Sequence, residues 1–117
     1  MIAEDDEINY LYFETILRKY SSKILHAKNG QEAIDLCREN SDISFVVMDI
    51  KMPVMNGIEA TREIRLFRKE LPIIALTAYA MSSDEQIALK AGCDAYIVKP
   101  IRKQDLFANF QTLGLIN

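Results

Sequence analysis

Residues 45–57 of this 117-residue chain read FVVMDIKMPVMNG. The apolar run at 45–48 is typical of a strand buried on both faces of a parallel sheet, and Asp49 would lie at the carboxyl end of that strand. In open α/β sheets, this edge is where ligands bind. Pro53 prevents a helix from starting at once, and Asn56-Gly57 indicates a turn. An isolated aspartate would usually only end the strand, so the role of Asp49 depends on what else reaches this edge.

Strand-like and helix-like segments alternate along the rest of the chain. Short apolar runs predict strands at 1–3, 24–27, 43–48, 73–76 and 95–98. Helical spacing of apolar residues and capping signals predict helices at 7–20, 30–39, 58–70, 82–91 and 104–113. Asp6 and Asn29 are the predicted N-caps of the first two helices, and a S-x-x-E capping box opens the fourth.

This alternation with short connections predicts an α/β fold, a five-stranded parallel sheet that is doubly wound in the order 2-1-3-4-5. We expect one domain over residues 1–117, with a shortened first strand. The predicted apolar face of the first helix consists of Ile8, Leu11, Tyr12, Thr15 and Ile16. We expect the basic cluster of the third helix to be a solvated face formed by Arg62, Arg65, Arg68 and Lys69.

Composition narrows the possible classes of function. The formal net charge of −3 gives no general affinity for nucleic acid or for anionic membranes. No apolar stretch is as long as a membrane span, and the acids that follow residue 3 are the opposite of a targeting signal. Cys37 and Cys93 have no metal-ligand spacing, so we expect reduced thiols in a cytoplasmic protein. His26, the single histidine, has no neighbouring His or Cys that would indicate a metal site.

Polar residues follow four of the five predicted strands. Glu4 and Asp5 follow the first strand, Asp49 the third, Thr77 the fourth and Lys99 the fifth. In the order 2-1-3-4-5, the first and third strands are neighbours, so we expect the three carboxylates to converge. Three carboxylates in one crevice repel each other, and one would have a raised pKa unless a cation were present.

Such a crevice has a definite chemistry. Carboxylate oxygens suit Mg²⁺, which is usually bound by one or two carboxylates together with waters and phosphate oxygens. A carboxylate beside the metal can attack phosphorus and form an aspartyl phosphate. The ammonium group of Lys99 would neutralise charge on the transferring group, and the hydroxyl of Thr77 could donate a hydrogen bond to the product. An acid cluster solvated at a loop edge is the structural alternative.

The chain resembles the receiver domains of two-component response regulators along essentially its whole length. The matching motifs are AEDDE at 3–7, MDIKMPVMNG at 48–57, LTA at 76–78 and YIVKP at 96–100. In this order and spacing the motifs are specific. Two further segments, DDEIN at 5–9 and AMSSDE at 80–85, are more similar to receivers of hybrid sensor histidine kinases than to chemotaxis receivers.

The resemblance implies a role for each site residue. Asp49 is the implied phosphoacceptor, and the ligands of Mg²⁺ are Asp5, Asp49 and the backbone carbonyl of Lys51, with Glu4 acting largely through water. Lys99 would pair with the phosphoryl oxygens, and its bond to Pro100 would be cis. Thr77 is the implied switch hydroxyl and Tyr96 the switch aromatic, although a tyrosine at this position is by itself typical of any half-buried strand.

The first strand departs from the family pattern. Receivers usually have four or five apolar residues before the acid pair, whereas three precede Glu4 here. We expect that upstream residues of this strand are missing, which would weaken the anchoring of Glu4 and Asp5. The hypothesis is that Mg²⁺ binds more weakly than in a version with a longer first strand.

The resulting prediction is a phosphorylation switch. A histidine kinase, histidine phosphotransfer protein or small acidic phosphodonor would supply the phosphoryl group, and the surface of the fourth helix, fifth strand and fifth helix would then change its affinity for a partner. The isolated domain would catalyse only its own phosphorylation and dephosphorylation. We expect a cytoplasmic location, alone or within a membrane-bound hybrid kinase, with no membrane contact and no direct contact with nucleic acid; dimerisation is left open.

Three alternatives to the switch stay open. A haloacid-dehalogenase-like phosphatase would normally carry a second Asp at position 51, which is Lys51 here. A flavodoxin-like FMN-binding protein would need a phosphate-binding loop rich in Ser, Thr or Gly where this chain has four acids. A receiver-like scaffold that is never phosphorylated is the hardest to exclude.

Overall fold

Strands and helices alternate in the computed structural model, which describes residues 1–21, 23–78 and 82–115 and all of their side chains except those of 82–84. The strands are β1 (Ile2–Ala3), β2 (His26–Ala27), β3 (Val46–Asp49), β4 (Ile73–Thr77) and β5 (Ala95–Val98). The helices are α1 (Glu7–Leu17), α2 (Gly30–Glu39), α3 (Gly57–Arg65), α4 (Ser82–Ala91) and α5 (Lys103–Thr112).

All strands pair in parallel in the order β2-β1-β3-β4-β5, which confirms the predicted topology. β3 is central, and all of its residues are buried. Successive residues of a strand face opposite sides of the sheet. Val46 and Met48 therefore pack in a core with α2 and α3, while Val47 packs on the other side with α1 and α5. Both faces are covered by helices, as expected of a doubly wound sheet.

Polar side chains start the first three helices. Asp6 accepts hydrogen bonds from two backbone N–H groups in the first turn of α1, and Asn29 accepts one in α2, as predicted. Asn56 caps α3 in the same way, which starts this helix at Gly57, one residue earlier than expected. α4 spans the predicted residues, but the side chains of 82–84, which include the serine of its expected capping box, lie outside those described.

The buried face of α1 differs from the predicted one. Phe13, Ile16 and Leu17 face the core, whereas Ile8 is 79% exposed and Leu11 is 57% exposed. The rest of the predicted stripe, apart from Ile16, is also exposed. α1 carries apolar residues on two adjoining faces and the sheet covers only one of them, so the spacing alone pointed to the wrong face. The helix also ends at Leu17, three residues before its predicted end.

Two arginines of the expected solvated face have structural partners instead. Arg65 donates to the Gly92 carbonyl at 2.8 Å and pairs with Asp94 at 2.9 Å. The guanidinium of Arg68 donates to three backbone carbonyls between residues 37 and 43, at 2.7 to 3.3 Å. The prediction was therefore wrong for these two side chains, because a charge pattern does not reveal which carbonyls lie within reach of a long donor.

The first strand is short, as predicted, but it is paired on both sides. Ile2 lies opposite His26 of β2 and Val47 of β3. This register explains why β2 begins at His26 and not at residue 24, since it starts where its partner strand starts. The expected weakening of Mg²⁺ binding stays a prediction. Among the residues described, no helix has the length and apolar character needed to cross a membrane.

Candidate functional site

Three carboxylates converge at the carboxyl edge of the sheet. One oxygen from each of Glu4, Asp5 and Asp49 can be chosen so that the three lie within 4.8 Å of one another. The strand register accounts for this, because Ala3 of β1 pairs with Met48 of β3 and the acids come immediately after that pair. Glu4 and Asp49 are almost fully buried, with 1% and 4% of their surface exposed, whereas Asp5 is exposed.

Lys99 brings a positive charge to the same place. Its Nζ donates to Oδ2 of Asp49 at 2.9 Å and to Oε1 of Glu4 at 3.4 Å. The residue follows β5, two strands away from β3, so its long side chain reaches across the end of β4. The backbone N–H of Lys99 donates to the Thr77 carbonyl at 2.7 Å, and the Lys99–Pro100 bond is cis, as the resemblance implied.

The electrostatics of the crevice follow from burial and crowding. Burial raises the pKa of Glu4 to about 8, and the hydrogen bond and negative charge of Asp49 act in the same direction. Burial lowers the pKa of Lys99, but its interactions with Asp49 and Glu4 outweigh that effect, so the net pKa is raised. One of the three carboxylates was expected to have a raised pKa, and that carboxylate is Glu4.

The loop after β3 is folded tightly around Asp49. The Lys51 backbone N–H donates to Oδ1 of Asp49 at 3.1 Å, and the Gly57 N–H donates to the Ile50 carbonyl at 2.8 Å. A Cβ atom at Gly57 would lie 2.2 Å from the Asp49 carbonyl oxygen. The Asn56-Gly57 pair predicts a turn, but the sequence alone does not reveal that position 57 must be glycine to fit against Asp49.

Thr77 and Tyr96 differ in their distance from this edge. Thr77 is the buried last residue of β4, one position beyond the Leu76 that pairs with Asp49. Tyr96 pairs with Ala75, two residues deeper in the sheet, and its half-buried ring packs against the core on the α2 and α3 side. The structure thus brings Thr77 to the edge that holds Asp49 and Lys99, and it places Tyr96 below that edge.

Residues 1–111 match the family model described as the response regulator receiver domain. This chain belongs to that family. It is therefore a receiver domain of two-component signalling, and the resemblance inferred from its motifs is confirmed.

Two relatives show in which proteins such domains occur. The hybrid signal transduction histidine kinase I of Dictyostelium discoideum is 37% identical over 120 residues, which is 96% of this chain but only 7% of the kinase. The polar-differentiation response regulator DivK of Brucella anthropi is 38% identical over 103 residues, covering 86% of this chain and 83% of DivK. This receiver domain is thus similar both to a small part of a hybrid kinase and to most of a small regulator.

Two solved structures resemble this receiver domain closely. The receiver domain of the sensor histidine kinase PA1611 from Pseudomonas aeruginosa, solved with a magnesium ion in its active site cleft, is 32% identical, with a TM-score of 0.86 over 97% of this chain and 94% of that one. The Saccharomyces cerevisiae Ssk1 receiver domain, in complex with the histidine phosphotransfer protein Ypd1, gives 34% identity and a TM-score of 0.88 over 97% and 86%.

One neighbour of the site was not identified from the sequence. The ring nitrogen Nε2 of His26 lies 2.7 Å from the backbone carbonyl oxygen of Glu4. In the sequence, His26 attracts notice only as a possible metal ligand, and it has no neighbouring His or Cys. The available signal was its position near the carboxyl end of the predicted second strand, which was expected to lie beside the first strand and its acid pair.

Proposed function

We propose that this receiver domain accepts a phosphoryl group on Asp49 and uses the resulting charge to switch its binding to a partner. The observation that carries the proposal is the buried Asp49 carboxylate, paired with Lys99 at 2.9 Å and lying within reach of two further carboxylates. A carboxylate that only ends a strand needs neither of these neighbours.

Mg²⁺ fits the donor set at this edge. The three clustered carboxylates offer hard oxygen atoms, which this ion prefers. We assign Asp5, Asp49 and the backbone carbonyl of Lys51 as ligands, with Glu4 acting largely through water. When bound, Mg²⁺ would offset the repulsion among the carboxylates and the charge of an incoming phosphoryl group. The magnesium ion in the active site cleft of the PA1611 receiver supports Mg²⁺ as the ion at this edge.

The chemistry at Asp49 is a phosphoryl transfer between two nucleophiles. A carboxylate oxygen of Asp49 forms a bond to phosphorus while the bond from phosphorus to the donor histidine nitrogen breaks, and the electron pair stays on that nitrogen. The Lys99 ammonium group, which contacts Asp49 in the resting state, would then pair with the phosphoryl oxygens. Burial of Asp49 keeps bulk water away, which strengthens this electrostatic contact.

The switch would pass through β4 and β5. The Thr77 hydroxyl would donate a hydrogen bond to an oxygen of the new phosphoryl group. The resulting shift of Thr77 toward Asp49 would let Tyr96 change its rotamer. Thr77 ends β4 at the site edge, and Tyr96 pairs with Ala75 on the same strand, two residues below it, which supports a coupling between the two side chains. The surface formed by α4, β5 and α5 would carry the output.

The partner that supplies the phosphoryl group would be a histidine kinase or a histidine phosphotransfer protein. The complex of the Ssk1 receiver with Ypd1 supports this class of partner. As an isolated domain, the chain would catalyse only its own phosphorylation and dephosphorylation. Its location would be cytoplasmic, whether it functions alone or as part of a hybrid kinase.

Intact mass after incubation with acetyl phosphate tests the proposal. We expect a gain of one phosphoryl group that requires Mg²⁺ and is absent from Asp49→Asn. Asp42→Asn, which changes an exposed carboxylate at the other end of the sheet, is the matched control and should be modified like the wild type. A domain that gains nothing with Mg²⁺ present, or an Asp49→Asn variant that gains as much as wild type, would contradict the proposal and favour a scaffold.

A further inference from the structure

The backbone of Glu4 is the point where the β1–β2 ladder ends. The N–H groups of Ile2 and Glu4 donate to the Leu25 and Ala27 carbonyls of the neighbouring segment, at 2.8 and 2.9 Å. Continued pairing would place the N–H of Asn29 opposite the Glu4 carbonyl. Asn29, however, is the N-cap of α2, so the helix begins where the ladder would continue. The Glu4 carbonyl therefore lies just beyond the last regular partner of the ladder.

The ring of His26 takes that place. Its Nε2 lies 2.7 Å from the Glu4 carbonyl oxygen. A carbonyl oxygen can only accept, so the proton of this hydrogen bond is on Nε2 of the imidazole. A side chain of β2 thus continues the pairing of β1 by one residue, up to the peptide group that joins Glu4 to Asp5.

The orientation of this ring is itself fixed. Tyr10 of α1 stacks on His26 with ring centroids 3.6 Å apart and an angle of 11° between the ring planes. The Tyr10 hydroxyl donates to Glu14 at 2.7 Å, and Glu14 is paired with Arg18 at 3.3 Å. The imidazole is therefore held between the Glu4 carbonyl and a tyrosine that is anchored along α1.

We propose that His26 is a positioning residue for the acid pair, and this inference rests on the proposed Mg²⁺ site. A peptide group is planar, so a hydrogen bond that holds the Glu4 carbonyl also sets the direction in which the chain enters Asp5. This peptide group joins the Cα atoms of Glu4 and Asp5, which carry the two side chains of the acid pair. Fixing it before the ion arrives reduces the ordering that Mg²⁺ binding must otherwise impose.

Two substitutions separate hydrogen bonding from packing. His26→Phe keeps an aromatic ring against Tyr10 but removes the donor, whereas His26→Gln keeps an N–H donor near the position of Nε2 and loses the stack. The probe is Mg²⁺ alone, titrated by calorimetry and by the amide NMR signals of Glu4 and Asp5. We expect His26→Phe to weaken Mg²⁺ binding about tenfold, which is the size of loss typical of residues that orient metal ligands. His26→Gln, which keeps the donor, should change the Mg²⁺ affinity by less than about threefold.

The rate of phosphorylation by acetyl phosphate, measured as a function of Mg²⁺ concentration, is a second readout. For His26→Phe, the Mg²⁺ concentration that gives half the maximal rate should rise about tenfold, while the rate at saturating Mg²⁺ stays close to wild type. Equal losses in both variants would mean that packing alone matters and would overturn the inference. Unchanged Mg²⁺ affinity in His26→Phe would also overturn it.

The wild type provides a test that needs no variant. Nitrogen NMR of the neutral imidazole should find the proton on Nε2, and a proton on Nδ1 would overturn the inference even if His26→Phe did not fold. The wild-type titration also distinguishes the two proposals. If the wild type binds no Mg²⁺, the proposed function itself fails; if it binds Mg²⁺ and His26→Phe binds equally well, only the positioning role fails.

Discussion

Lys99 places a positive charge against the two buried acids of the resting site. Its ammonium group contacts both Asp49 and Glu4, while a quarter of its side chain is exposed. The same charge has opposite consequences for the two ligands of the site. It repels a metal cation held by the same carboxylates, and it attracts the phosphoryl group that follows.

Replacing Lys99 with methionine should therefore move the two functions in opposite directions. We expect Lys99→Met to bind Mg²⁺ more tightly, because a competing positive charge is gone, but to be phosphorylated about 100-fold more slowly at saturating Mg²⁺. Calorimetry and the rate of modification by acetyl phosphate measure the two effects. Lys23→Met is the matched control, since Lys23 is exposed and pairs with Asp42 at the other end of the sheet; a loss of the same size in that variant would contradict the role given to Lys99.

Gly57 is required because its missing side chain leaves room for the Asp49 carbonyl. Gly57→Ala should lower the free energy of unfolding by about 2 to 3 kcal/mol through overpacking, and should slow phosphorylation by displacing Asp49. Gly114→Ala is the control, because a Cβ there would meet no atom within 4 Å among the described residues beyond its chain neighbours, although its φ of 74° is left-handed. That variant should lose only about 1 kcal/mol. Chemical denaturation compares the two, and equal losses would refute the steric explanation.

At the scale of elements, one property of α1 could be predicted from the sequence and another could not. The helix and its cap at Asp6 were predictable, because apolar spacing and a capping aspartate are local signals. Its buried face was not, because Phe13 and Leu17 compete with an equally regular stripe and only the position of the sheet decides between them. Arg65 and Arg68 present the same difficulty, since their carbonyl partners belong to segments distant in sequence.

The exposed stripe of α1, formed by Ile8, Leu11 and Tyr12, begins three residues after Asp5. We expect a helical phosphodonor protein to dock on this apolar surface of α1, because it lies next to the acid pair. The double variant Ile8→Ala/Leu11→Ala should accept phosphoryl groups from its cognate donor protein about tenfold more slowly. Its rate with acetyl phosphate should not change.

Leu66→Ala is the control for that experiment, because Leu66 is 74% exposed but follows α3 on another part of the surface. Radiolabelled transfer from the donor protein measures the rates. A loss with acetyl phosphate as well would indicate damage to the site, and an unchanged rate with the donor protein would show that docking occurs elsewhere.

At the scale of the molecule, the sequence predicted the topology and the meeting of the acids. Strict alternation of strands and helices leaves few arrangements, and the order of the strands then makes Glu4 and Asp49 neighbours. The fit of Gly57 and the contact of His26 with Glu4 were not predictable in this way. Both depend on distances of a few ångströms between segments that are separate in the chain.

The raised pKa of Glu4 links stability to pH in the metal-free protein. The folded state holds this proton more tightly than the unfolded chain, so the stabilisation is complete below the ordinary pKa of 4.5 and is lost as the pH rises through about 8. We expect the unfolding temperature in EDTA to fall between pH 6 and pH 8.5. Saturating Mg²⁺ should reverse the fall, because it favours the ionised carboxylates.

Glu4→Gln isolates this effect, because the amide is neutral at every pH and has nearly the same shape. Its unfolding temperature in EDTA should fall less over the same interval than that of the wild type. Calorimetric scans of the two proteins at pH 6, 7 and 8.5 make the comparison. Parallel curves would mean that another group is responsible.

Three consecutive acids perform three different tasks between β1 and α1. Glu4 is buried in the crevice, Asp5 completes the acid cluster at its surface, and Asp6 caps the helix. One inserted residue would either separate the cap from its helix or turn α1 by about 100° relative to the acids. Most surface loops accept changes in length more readily than the elements they connect. This loop should behave in the opposite way, so that a library of insertions through the domain would find it among the least tolerant positions.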